Sequence, residues 1–394
     1  MIVGVVKETF ANEQRVALVP TVVPSLINVG LEVVVEAGSG DAAGFPDRAY
    51  QEKGARLESD RPNVIRDADI LLQVRTWGAN PEAGRNDLEW VRPGQVIVGL
   101  AEPLMRAPCA KEFADRGAVL FAMELLPRIT RAQGMDVLSS MATIAGYKAV
   151  LLAANASPKI FPMMMTAAGT IKPARVFVLG AGVAGLQAIA TAHRLGATIE
   201  AYDLRSAVKE QVESLGARFV ELPLDTAQSE NRGGYAKAMD DTFYRQQREL
   251  LTRVLIDKDV VITTAAVPGK KAPILLTEAM VKQMMPGSVI VDLAAEHGGN
   301  CELTEPGTTT VKYGVTLIGP IDVPSMVPYH ASQMYAKNIA TFLLHLIQEG
   351  QLIIDMEDEI TRETLVCRDG QVTHPHVREA LGLATREVAE GDLR

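Results

Sequence analysis

The first 192 of the 394 residues contain no histidine; the six lie at 193, 297, 330, 345, 374 and 376. Any chemistry of the N-terminal half must therefore proceed without imidazole as general base or metal ligand. Cysteine is also sparse. Cys109, Cys301 and Cys367 are odd in number and far apart, with no paired spacing for a zinc site or a redox pair, and read as inert thiols in a reducing cytoplasm. Positive charge is in deficit, 39 Lys and Arg against 48 Asp and Glu, so the net charge of -9 leaves no electrostatic footprint for nucleic acid. Long apolar runs are missing as well: those around Ala149 to Ala156 and Ile339 to Ile347 fall short of the roughly 18 to 20 residues of a membrane span. The N-terminus MIVGVVKETF reads as a strand with an early Lys7-Glu8 pair, not as a secretory signal.

With 47% hydrophobic and 22% charged residues, the composition is that of a folded chain, and the length suggests two or three domains. Apolar, β-branched runs alternate with helical segments from the start: Ile2 to Val6, Glu32 to Glu36, Ile70 to Val74, Val96 to Leu100 and Val119 to Ala122. That is a βαβ pattern, with a helix expected over Pro20 to Val29 and stopped at Gly30. Val137 to Ala156 reads as a long bridging helix, and Met163-Met164-Met165 after it as core filler. A second series follows at Arg175 to Leu179, Thr198 to Tyr202, Arg218 to Glu221, Val260 to Thr264, Val289 to Leu293 and Thr316 to Ile318. A helix over about Ser325 to Gln348 would return the chain to the first domain. The expectation is an α/β protein of two Rossmann-like, doubly wound parallel-sheet domains joined by long helices. One comprises residues 1-136 plus 325-394, the other 137-324.

The strongest local signal is ARVFVLGAGVAGLQAIATAHRLGATIEAYD, residues 174 to 203. Gly180, Gly182 and Gly185 form G-x-G-x-x-G between a buried strand and a helix starting near Val183. The first permits the tight turn, the second lets backbone approach a pyrophosphate, and the third lets helix and strand pack closely. The helix N-terminus then faces the phosphates. Asp203 ends the next strand where a carboxylate accepts both ribose hydroxyls of an adenosine, which favours NAD(H) over NADP(H); Arg205 tempers that choice without reversing it. Two further strand ends, Thr263 to Gly269 and Asp292 to Asn300, offer small residues that leave room for a nicotinamide. His297 between them reads as a solvated loop residue. The long polar connection Asp225 to Gln247 holds SENRGGY, residues 229 to 235, as expected of a lid.

The remaining constellation is LPRITRAQGMDVLSSM, residues 126 to 141, which crowds Arg128, Arg131, Gln133, Asp136, Ser139 and Ser140 just before the bridging helix. A Gln amide and an Arg there can hold a nicotinamide carboxamide without any proton transfer. Solvated charges at a helix entry are the plainer reading.

Over nearly its whole length the chain resembles the NAD(H)-binding α subunit, or domain I, of the proton-translocating, Re/Si-specific NAD(P) transhydrogenases. The likeness rests on VGVVKETFANEQRVALVP at 3 to 20, PRITRAQGMDVLSS at 127 to 140, TAAGTIKPARVFVLGAGVAGLQAIATAHRLGA at 166 to 197, KEQVESLGARF at 209 to 219, GGYAKAM at 233 to 239, TTAAVPGKKAP at 263 to 273 and DLAAEHGGNCELTEPG at 292 to 307. Of these the 127 to 140 segment is the most specific. The resemblance implies that Arg128, Gln133, Asp136 and Ser139, with Ile129, Thr130, Arg131 and Leu138, position the nicotinamide. Gly180, Ala181, Gly182, Val183, Gly185, Asp203, Leu204, Arg205, Gly234, Gln247 and Ala266 would contact NAD(H), with Tyr235 on the mobile loop. It further implies a homodimer, a β subunit that binds NADP(H), a separate membrane-spanning subunit, and attachment through them to the cytoplasmic face of the inner membrane. Hydride transfer between two nicotinamides needs proximity and orientation, not a protein base, which agrees with the histidine-free N-terminal half.

Alanine dehydrogenases resemble the chain in KETFANEQRVALVP. There Arg15 would bind a substrate carboxylate, but the catalytic Lys and His positions hold Arg75 and Glu102. A non-catalytic NAD-binding scaffold is the third reading; it keeps the glycine motif and has no use for the 128 to 139 loop.

Overall fold

Runs of Val, Ile and Leu make strands here because β-branched side chains pack well on a pleated surface. In a computed structural model describing residues 1–223, 241–266, 269 and 271–383, they assemble two separate sheets. The chain divides into two compact units, Met1–Met141 with Ser325–Arg394, and Ala142–Pro324.

In the first unit β1 (Ile2–Val5), β2 (Glu32–Glu36), β3 (Arg56–Glu58), β4 (Ile70–Arg75), β5 (Val96–Leu100) and β6 (Val119–Ala122) are parallel, in spatial order β3-β2-β1-β4-β5-β6. Antiparallel strands Leu365–Arg368 and Gln371–Val372 extend the sheet beyond β6. Every residue of β4 is buried, as in a parallel sheet covered on both faces. The expected helix at 20–29 shrinks to Val23–Ile27, the preceding residues being turn.

The second unit opens with a hairpin of β7 (Met164–Thr166) and β8 (Gly169–Ile171). Here the expectation of core filler fails, because Met163, Met164 and Met165 are all exposed, the last to 75%. A two-stranded hairpin outside the main sheet has no layer to bury its side chains against. Then come β9 (Arg175–Leu179), β10 (Thr198–Tyr202), β11 (Arg218–Phe219), β12 (Val260–Thr263), β13 (Val289–Asp292), β14 (Thr308–Lys312) and β15 (Val315–Gly319), in order β11-β10-β9-β12-β13-β15-β14. All are parallel except the edge strand β14. Strand order therefore reverses between β9 and β12, and ligands of open α/β sheets bind beyond the carboxyl ends of strands at such a point.

Helix Val137–Ala156 is the one helix among the described residues long and apolar enough to cross a membrane, with a mean hydropathy of 1.5. Core packing accounts for that apolarity. Ala149, Val150 and Ala153 pack with Val176, Val178 and Ile189 in the second unit, and a Cβ on Gly146 would lie 2.1 Å from the Ala184 carbonyl oxygen.

Candidate functional site

The glycine turn between β9 and helix Val183–Arg194 is built by exclusion of side chains. Gly180 has φ +101, and a Cβ there would lie 2.6 Å from Thr264 Oγ1 at the end of β12. A Cβ on Gly185 would sit 1.8 Å from the Gly180 carbonyl oxygen, so helix and turn touch directly. Gly182 differs: its Cβ would meet nothing nearer than Arg205 Nη2 at 3.9 Å, and no side chain caps the helix it precedes. The amino end of a twelve-residue helix, positive by its peptide dipoles, is left to an outside anion, with open space at Gly182 for it. These residues fit a pyrophosphate.

Asp203, at the end of β10, is buried. Its Oδ2 accepts the Ala181 N–H at 2.7 Å and Arg205 Nη2 at 2.8 Å; its Oδ1 accepts the Arg205 N–H and Nε, both at 2.9 Å. The carboxylate thus ties the glycine turn to β10. Leu204 and Arg205 are half-buried beside it, Ala181 is buried and Val183 exposed.

The strand ends at 263 and 292 are held by groups whose role the sequence does not reveal. Asp292, fully buried, accepts Thr263 Oγ1, the Ala294 N–H, and the N–H groups of Asn300 and Cys301. Asn300 in turn accepts the Ala265 N–H and donates to the Ala265 and Pro273 carbonyls. Together they fix Ala265 in place and leave Ala266 exposed. In the sequence, DLAAEHGGN signals only a loop rich in small residues. Gln247, on helix Asp241–Leu255, is 1% exposed and donates to Tyr202 Oη at 3.1 Å; burial pushes the Tyr202 phenol up to about 12. Gly234 and Tyr235 lie outside the described residues.

In the first unit Pro127, Arg128, Ile129, Thr130, Ala132, Gln133, Asp136 and Ser139 line one pocket of about 290 Å³. A 3-10 helix, Thr130–Met135, buries Ala132 and Met135 and turns Arg131, Gln133 and Gly134 outward. Asp136 then closes the loop by accepting the Ser139 N–H at 2.8 Å and the Ser139 hydroxyl at 2.5 Å, which caps helix Val137–Ala156. Gln133 is exposed and makes no side-chain hydrogen bond among the described residues, so its amide is available to a ligand. Six of the eight loop positions named from sequence share the pocket; Arg131 turns to Asp358 instead, and Leu138 is half-buried outside the lining.

The pair expected to distinguish a 2-oxo-acid enzyme is occupied. Arg15, buried, donates to Glu13 through Nε at 2.7 Å and Nη2 at 2.5 Å. Arg75 reaches the same carboxylate at 3.3 Å, with its guanidinium carbon 4.2 Å from the Phe10 ring centre. A guanidinium does not give up its proton in a protein, so Arg75 supplies no acid or base.

The sequence profiles "Alanine dehydrogenase/PNT, N-terminal domain" and "Alanine dehydrogenase/PNT, C-terminal domain" match residues 4–145 and 149–375. The chain belongs to the alanine dehydrogenase/PNT family. Within the family it is 45% identical over 378 residues to an NAD(P) transhydrogenase subunit alpha chain of Rhodospirillum rubrum, covering 95% of this chain and 98% of that protein. The alanine dehydrogenase of Halomonas elongata is 30% identical over 397 residues, 99% of each chain. The solved structure of transhydrogenase from Sinorhizobium meliloti superposes with a TM-score of 0.84 at 43% identity, covering 94% of this chain and all of that one. This alanine dehydrogenase/PNT member therefore sides with the transhydrogenase α subunits, and its α/β fold of two domains is theirs.

Proposed function

We infer that the chain is the NAD(H)-binding component of a proton-translocating NAD(P) transhydrogenase. It passes a hydride directly from NADH to NADP+ held by a partner β subunit, while a separate membrane-spanning subunit couples the transfer to proton movement. The observation that carries this reading is the 45% identity to a transhydrogenase α subunit across 95% of the chain.

Bound NADH supplies the hydride. The open helix end at Gly182 and the backbone of Gly180 to Val183 hold the pyrophosphate, and Asp203 takes the ribose hydroxyls, with Leu204 and Arg205 alongside. Arg128 and Gln133 fix the carboxamide, while Asp136 and Ser139 hold the loop that presents them, together with Ile129, Thr130, Arg131 and Leu138. Ala266, Gln247, Gly234 and Tyr235 complete the cofactor contacts. No residue need move a proton, since orientation and closeness are what a direct hydride transfer requires. The arginine at position 75 and its pairing with Glu13 speak against an amino-acid dehydrogenase. A homodimer would cover the exposed methionines and Ile171 of the β7–β8 hairpin, and the partner subunits would hold the chain at the cytoplasmic face of the inner membrane.

The test is NADH binding by the chain alone, then NADH oxidation with pyruvate plus ammonia, then with the NADP-binding subunit. Binding with turnover only when that subunit is present is the expected result. Turnover with pyruvate and ammonia alone would overturn it.

A further inference from the structure

Gln133 lies in a short 3-10 turn, a conformation with poorer hydrogen bonds than an α-helix and little rigidity of its own. What holds it comes from residues about two hundred positions away in the same unit. One residue beyond Gln133, the Gly134 carbonyl accepts Asn338 Nδ2 at 2.8 Å. Two residues before it, Arg131 Nη2 donates to Asp358 Oδ2 at 3.0 Å. Both anchors are themselves fixed. Asn338 sits on helix Pro328–Leu346, followed on the same face by Thr341 and His345; the Thr341 methyl lies 3.7 Å from where a Gly134 Cβ would be, and His345 Nε2 is 2.9 Å from Asp358 Oδ1. Asp358 also caps helix Glu359–Thr364 by accepting the Thr361 N–H at 3.0 Å.

Asn338 is buried, and its Oδ1 has no partner among the described residues. A buried amide oxygen left unpaired is a cost that an apolar residue would avoid. The bond from its Nδ2 to Gly134 is the polar contact that sets asparagine apart there.

The geometry points to Asn338 and Asp358 as positioning residues for hydride transfer: they bracket Gln133 and set where its amide stands, acting through the loop and touching no cofactor. This rests on the reading of Gln133 as the group that orients the nicotinamide. A displacement of about 1 Å at such a group costs on the order of 100-fold in rate, so loss of either anchor acts on rate before affinity.

The experiment compares Asn338→Asp, which is isosteric but turns the donor into an acceptor facing a carbonyl, and Asp358→Asn with the unchanged full-length chain. Each is measured for NADH affinity alone, for hydride transfer with the NADP-binding subunit, and for amide hydrogen exchange over 132–135 without nucleotide. The expectation is transfer slowed about 10-fold or more, NADH affinity changed by less than about twofold, and faster exchange over 132–135. In a Gln133→Ala background Asn338→Asp then slows transfer no further, whereas a merely structural role would cost rate in both backgrounds. Should Asn338→Asp fail to fold, Asp358→Asn carries the same comparison, since its amide still accepts the Thr361 N–H. Equal losses of rate in both backgrounds, or unaltered transfer, would overturn the assignment alone. Absence of transfer by the unchanged chain would overturn the transhydrogenase reading and this assignment with it.

Discussion

Arg205 grips Asp203 with two parallel hydrogen bonds, Nε to Oδ1 at 2.9 Å and Nη2 to Oδ2 at 2.8 Å. The carboxylate that would receive the adenosine ribose is thus neutralised by the residue two positions on, and ribose hydroxyls must share it with Arg205. The same pairing keeps the guanidinium, which suits phosphate well, from acting as a 2′-phosphate receptor.

Asp203→Ala should therefore do two things at once. NADH affinity should fall by about 10- to 100-fold, the range expected on losing hydrogen bonds to a charged group. NADPH affinity should fall much less, because the released Arg205 faces the extra phosphate. Titration of both nucleotides measures the ratio; an equal loss for the two would show that Arg205 is not restrained by Asp203.

Gly182 and Gly185 differ in what a methyl group would meet, and so in what substitution does. Gly182→Ala places a Cβ in open space on an extended backbone that alanine tolerates, so the fold should keep its melting temperature while NADH affinity falls about 10-fold or more as the methyl intrudes on the phosphate. Gly185→Ala drives a Cβ into the Gly180 carbonyl at 1.8 Å, and overpacking of that kind costs about 1–3 kcal/mol or more of stability. Thermal melts beside NADH titrations separate the two; a destabilised Gly182→Ala would assign that glycine to packing instead of the ligand.

Gln133→Asn shortens the side chain by one methylene while keeping its amide. Hydride transfer to the NADP-binding subunit should slow by about 100-fold, and NADH binding should change little, since the amide serves orientation. Parallel measurement of the transfer rate and of NADH affinity decides it. Equal losses in both would make Gln133 an ordinary binding residue.

Much of the fold is legible because buried parallel strands announce themselves as apolar runs: Arg175–Leu179 and Thr198–Tyr202 begin and end where the sequence puts them. Strands carrying no such run stay hidden. Arg56–Glu58 is a three-residue edge strand of mostly polar residues, and Thr308–Lys312 is an edge strand with four of five residues exposed. Methionine misleads in the opposite direction, since an apolar triplet carries no mark of whether a partner surface exists within its own unit. The glycine turn is legible from spacing alone. The props behind the candidate site are not: Asn300 meets Ala265 across 35 positions and Asn338 meets Gly134 across 204, and no local pattern encodes either meeting.

His374 offers a pH-dependent test of the first unit that is independent of any cofactor. The ring is buried at the start of helix Pro375–Ala380, with its Nδ1 unpartnered among the described residues. Burial first, and then the nearby His376 ring, push its pKa down to about 4 from an ordinary value of 6.5. Because the folded-state value is depressed, the neutral ring's contribution is fully present above about pH 6.5 and is lost as pH falls through 4, where the unfolded chain has already taken up its proton. At about 1.4 kcal/mol per pH unit the loss approaches roughly 3 kcal/mol. His374→Gln has no proton to gain, so the fall in melting temperature between pH 7.5 and pH 4.5 should be smaller in the variant than in the parent. Identical pH profiles for the two would mean that the ring is solvated enough to titrate at its ordinary value in the folded chain.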